Sequence, residues 1–193
     1  MNAPKEVLGE GHLKGVIFRS HLAWAREHLT PAELEQLWQR VGPEISDALS
    51  GPIVVSSWYP FAWLITLDRA LIDLHGSHYP DLARELGRYS ARINLTTTYR
   101  AFDRQSNHEF FRNSALLHSQ FQDFGQSTYE QLGDDAGRIR LTNYNSFSPI
   151  YCKTALGYYE QAIQNHGAAR VDVKETECQC YGDKSCTFEL KWE

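Results

Sequence analysis

Apolar residues recur at helical spacing through most of the first 120 positions, and the clearest helix start lies at Thr30. There Thr30 stands as N-cap, Pro31 takes the first helical position and Glu33 closes a capping box, ahead of a stripe made by Leu34, Leu37, Trp38 and Val41. Val16 to His28 is a second amphipathic segment, and a short helical stretch follows Gly42 and Pro43 towards Leu49. From Pro60, Leu64, Leu67, Leu71 and Leu74 predict a longer helix stopped at His75 and Gly76. A fourth helix is expected from Pro80 and Asp81, and a fifth over Thr98 to His118.

The pattern then changes. Ser127 to Leu132 and Arg138 to Tyr144 are β-leaning runs separated by a Gly-Asp-Asp-Ala-Gly turn. Pro149 opens another helix, with Cys152, Leu156, Tyr159 and Ile163 on one stripe, and Asn165 to Gly167 end it. Ala169 to Cys180 and Ser185 to Trp192 read as two strands around a turn at Gly182 and Asp183. Helices followed by hairpin, helix and hairpin predict an α+β fold with a twisted antiparallel sheet. We expect one domain over residues 1–193, helical over about 12–120 and sheet-forming over about 125–193.

Composition narrows the function classes. The 193 residues carry 19 Lys and Arg against 24 Asp and Glu, a net charge of -5 that disfavours a nucleic-acid backbone as partner. No apolar run approaches the roughly 20 residues of a membrane span, and the first residues lack a signal-peptide core, so a cytoplasmic protein is expected. No nucleotide fingerprint, phosphate loop or Gly-x-Ser-x-Gly motif is present, so no catalytic residue is assigned and the reading leans away from an enzyme.

Three of the four cysteines, Cys178, Cys180 and Cys186, fall within nine residues, while Cys152 stands alone upstream. In a reducing compartment disulfides are disfavoured, and such clustering points to a structural zinc site with four tetrahedral ligands. A hairpin can present Cys178 and Cys186 across its turn while Cys152 approaches from the preceding helix. The fourth ligand is either Cys180 or Glu175, the latter requiring a bulge or bend to converge. The plain alternative is that the thiols are small buried hydrophobes.

The run from Glu175 through Cys178, Gly182 and Cys186 to Phe188 resembles the signature of the 4-vinyl reductase domain family, and Cys152, 23 residues before Glu175, stands where its zinc-containing sensors place their first thiolate. The whole chain also resembles an uncharacterised paralogous family of myxobacteria, through Trp58 to Pro60, Tyr79 to Leu82, Leu86 to Arg88 and Trp192. The resemblance implies a bacterial small-molecule sensor, usually homodimeric, sharing its fold with haem-nitric-oxide-binding domains and vesicle-tethering subunits. It further implies structural zinc on Cys152, Glu175, Cys178 and Cys186, with Cys180 spare, and a small hydrophobic or aromatic ligand in a helix–sheet cavity.

Five Trp, ten Tyr and nine Phe supply walls for such a cavity, and Trp63, Tyr99, Phe111, His118, Tyr144 and Phe147 are its candidate ligand-binding residues. An alternative function is haem-dependent gas sensing with His118 as axial ligand. The haem-binding relatives carry Tyr-x-Ser-x-Arg; Tyr144 and Ser146 match it, but Ser148 stands where the arginine belongs. A further alternative is a scaffold or tethering subunit with a filled core and no ligand.

Overall fold

In a computed structural model that describes residues 3–97 and 106–193, strand β1 (His12–Lys14) runs directly into helix α1 (Gly15–His28). Helix α2 (Pro31–Val41) opens on the expected capping box: the Glu33 N–H donates to Thr30 Oγ1 at 3.3 Å, and the Thr30 N–H donates to the Glu33 carboxylate at 2.8 Å. Helix α3 (Pro43–Leu49) follows at once, because Gly42 turns the chain with φ 85°. Strand β2 (Trp58–Pro60) pairs antiparallel with β1 across the three intervening helices, each strand too short for its alternation to be read from the sequence. Helices α4 (Phe61–His75) and α5 (Leu82–Thr96) match the expected apolar stripes.

The first eight residues of the expected fifth helix, Thr98 to His118, lie outside the described residues, and the helix stops short of His118 at its other end. Helix α6 (Asn107–Leu116) begins at a second capping box, formed by Ser106 and Glu109, and a separate 3-10 turn, His118–Gln120, carries His118. Tyr99 lies outside the described residues.

Strands β3 (Gln126–Gln131) and β4 (Ala136–Thr142), helix α7 (Pro149–Asn165), and strands β5 (Val171–Glu177) and β6 (Cys186–Trp192) complete the chain. The four strands form one antiparallel sheet in the order β3-β4-β6-β5. An α+β architecture is therefore observed, with the main sheet on one side and helices on the other. Strand β5 stops short of the expected Cys180. The Cys178 N–H donates to the Asp183 carboxylate at 2.8 Å, the Tyr181 N–H donates to the Cys178 carbonyl at 2.9 Å, and Gly182 takes φ 106°, so Gln179–Tyr181 coil into a 3-10 turn.

Helices α5 and α7 cross closely because glycines meet there. A Cβ at Gly87 would run into the Thr154 carbonyl, and one at Gly157 into the Arg84 carbonyl. Arg84 and Arg88 both clamp the Glu160 carboxylate across the same crossing, Arg88 at 2.9 Å. Among the described residues no helix is long and apolar enough to cross a membrane.

Candidate functional site

A cavity of about 190 Å3 lies between α1, α5, α6 and α7 on one side and β4 on the other. Its body is apolar and aromatic, with Phe111, Ile139, Leu141 and Tyr159 in the wall. No Asp, Glu, Lys or Arg lines it among the described residues. Phe111, His118 and Tyr144 are cavity residues. Trp63 packs half-buried against the core from α4, outside the cavity wall. Phe147 is buried but pairs with Val7 in an isolated bridge away from the wall.

Two polar groups sit in this wall, and they differ in how completely they are satisfied. The first is a chain of hydrogen bonds. The Tyr151 hydroxyl donates to Gln122 Oε1 at 2.9 Å, Gln122 Nε2 donates to the Tyr144 hydroxyl, and that hydroxyl donates to His118 Nε2 at 3.2 Å. The network thus assigns His118 the neutral tautomer with Nε2 as acceptor. Burial pushes the His118 pKa down, partly offset by a backbone hydrogen bond at Phe124, while burial pushes Tyr144 well above the ordinary phenol value.

The second group lies on the helical side. His21 Nδ1 and Asp68 Oδ1 are 2.6 Å apart and both side chains are 0% exposed. Ser20 Oγ meets Ser90 Oγ at 2.7 Å, and Asn94 Nδ2 donates to Ser90 Oγ at 3.2 Å. His21, Ser90 and Asn94 all belong to the cavity wall. Here, among the described residues, His21 Nε2, Asp68 Oδ2 and Asn94 Oδ1 are buried without a hydrogen-bond partner. The sequence reading missed this group, although its signal was present: His21 and Asp68 are polar residues within the otherwise apolar stripes of α1 and α4.

Outside the cavity, one ligand atom from each of Cys152, Glu175, Cys178 and Cys186 lies within 4.8 Å of the others. Strand β5 reaches this point through a register shift between Glu175 and Glu177, the bulge that convergence requires. Cys180, buried in the 3-10 turn, is not part of this group of four. Cys152 Sγ lies 3.7 Å from Cys186 Sγ and 3.8 Å from Cys178 Sγ. Hydrogen bonds from Cys152, Cys180 and Cys186 hold the Cys178 thiol below its ordinary pKa. Burial, then the contact with Cys178, pushes the Glu175 carboxyl up to about 8.

No family model matches the chain, and no curated protein matches it. Solved structures do. An H-NOX protein from S. oneidensis in the Fe(II)NO ligation state superposes with a TM-score of 0.72 at 13% identity, covering 94% of this chain and 99% of that one. An oxygen-binding H-NOX domain related to soluble guanylate cyclases gives 0.71 at 15% identity, covering 94% and 95%. A structure described through haem redox potential and protein-induced porphyrin distortion gives 0.69 at 15% identity, covering 93% and 99%.

These neighbours correct the expected zinc cofactor: they are described through Fe(II), oxygen and haem, and none through zinc. The cysteine sulfurs join α7 to the β5–β6 connection through contacts of 3.7 and 3.8 Å. Neither the 4-vinyl reductase resemblance nor a homodimer finds support in these matches. What the chain shares with its solved neighbours is the H-NOX fold.

Proposed function

We propose that this chain is a ligand-binding sensor domain whose occupant enters the cavity between the helices and β4. The observation that carries this reading is the cavity itself, aromatic in its body and polar in two places, in a fold whose solved neighbours include proteins described with bound NO and oxygen. Signalling then requires that the ligand bind one conformation of the domain better than another.

Haem-dependent gas sensing with His118 as axial ligand is the finer reading that these neighbours favour over a zinc-braced pocket. His118 suits an iron ligand, since its imidazole is part-buried, neutral and in the cavity wall. The propionates find no match. Where the haem-binding relatives carry arginine, Ser148 caps α7 and donates to the Glu6 carboxylate, and no cation lines the cavity among the described residues. His118 Nε2 is also engaged by Tyr144 and would have to release it. The residues present therefore fit the iron and not the whole haem.

Titration of the purified chain with hemin, and separately with benzene as a neutral cavity probe, tests both levels. Benzene should shift the NMR signals of Phe111, Ile139 and Leu141. A stoichiometric shift and sharpening of the hemin Soret band that is lost in His118→Ala, with a further shift on adding NO to the reduced complex, would establish the gas-sensor reading, whereas benzene binding without such a shift would leave direct sensing of an organic ligand. Binding of neither would overturn the cavity as a ligand site.

A further inference from the structure

Resting on the reading of the cavity as a ligand site, the His21 end of it carries a second conclusion. His21 and Asp68 stand 47 positions apart in sequence, on α1 and α4, and their 2.6 Å contact commits Nδ1 and fixes the ring. The remaining ring nitrogen, Nε2, has no partner among the described residues, nor has Asn94 Oδ1 from α5. Asn94 is 4% exposed and His21 1% exposed, so bulk water does not satisfy either atom. Buried polar atoms are normally paired, and two orphans in the wall of one cavity are what a missing ligand group leaves behind.

The chemistry of that group follows from the atoms it meets. Asn94 Oδ1 only accepts, and with Nδ1 donating to the Asp68 carboxylate the Nε2 of the neutral ring accepts as well. A bare hydrocarbon would leave both unmet. An anionic head group has no lysine or arginine among the described lining residues to meet it, and a cationic one cannot reach Asp68, which lies behind the imidazole and outside the wall.

We propose that the His21–Asn94 end of the cavity recognises a neutral head group that donates hydrogen bonds, a primary carboxamide with its two N–H groups, on a ligand whose apolar body lies against Phe111, Ile139 and Leu141. His21 is the recognition residue, Asp68 the positioning residue behind it, and Ser90 holds the Asn94 amide so that Oδ1 stays free.

The probes are cyclohexanecarboxamide and its apolar counterpart methylcyclohexane, followed by ligand-observed NMR and thermal shift on the full chain. The carboxamide should bind wild type roughly tenfold or more tightly than methylcyclohexane, as a site built to hydrogen-bond a polar group discriminates against its absence. That preference should fall several-fold in Asn94→Leu, which leaves the His21–Asp68 pair intact, and vanish when Asn94→Leu is combined with His21→Phe and Asp68→Leu, while methylcyclohexane binding persists. Equal binding of the two probes to wild type, or a preference undiminished in both variants, would overturn the polar subsite and leave the cavity reading standing. Failure of both probes would remove the cavity reading and the subsite together.

Discussion

The two polar groups of the cavity use similar residue types to opposite ends. At His118, every functional atom of the Tyr151–Gln122–Tyr144–His118 chain finds a neighbour within the protein. At His21, a more deeply buried imidazole is held by Asp68, yet its second nitrogen and the Asn94 side-chain carbonyl of the same cavity wall have no partner among the described residues. The first end is satisfied within the protein, while the second is where a ligand group is proposed to complete the bonding. A histidine in a cavity wall is thus a poor guide to recognition until the partner of each ring nitrogen is known.

The largest effect should come from disturbing both ends at once. Gly157→Val drives side-chain atoms into the Arg84 carbonyl at the α5–α7 crossing, which positions Asn94 on one helix and Tyr151 on the other. Overpacking of backbone against backbone should cost about 3 kcal/mol or more, read as a fall in denaturant midpoint. A tolerated Gly157→Val would show that the crossing does not set the cavity.

Tyr144→Phe breaks the satisfied end by leaving Gln122 Nε2 and His118 Nε2 each short of a partner, and should cost about 1–3 kcal/mol by chemical denaturation. The same end predicts a pH effect. Burial lowers the His118 pKa below its ordinary 6.5, so the unfolded chain takes up the proton first. Stability associated with His118 is therefore present above about pH 6.5 and is lost as the pH falls below it. Urea midpoints at about pH 7.5 and about pH 5.5 should diverge more for wild type than for His118→Asn; equal slopes would contradict the assignment.

The smallest change is expected at the open end. Asn94→Leu removes an unpartnered acceptor together with one hydrogen bond to Ser90, and by thermal melting it should be neutral to within about 1 kcal/mol. Its contrast with Tyr144→Phe is the sharpest form of the comparison: a loss as large at Asn94 as at Tyr144 would mean that the open end is structural after all.

Much of the fold is legible from local pattern. Thr30, Pro31 and Glu33 announce α2 because a capping box is satisfied within four residues, and the Gly182–Asp183 turn announces the last hairpin through a backbone angle that glycine adopts without strain. The Ser106–Glu109 box was equally local and was passed over in favour of a longer helical stretch. The thiol cluster was legible as a spacing, but the choice between Glu175 and Cys180 was not: it depends on the bulge after Glu175 and on the 3-10 turn that takes Cys180 out of the strand.

By itself, then, the sequence determined most of the helices, the four strands of the main sheet and the α+β class, since each depends on residues a few positions apart. The fold shared with haem-nitric-oxide-binding domains, expected from the resemblance, is the fold of the solved H-NOX neighbours, whereas tertiary structure alone decided that Asp68 lies behind His21 and that Ser148 meets Glu6. Those pairings join residues 47 and 142 positions apart. Whether a buried polar atom is paired or left open for a ligand depends on how whole helices cross, and no periodicity along the chain records that.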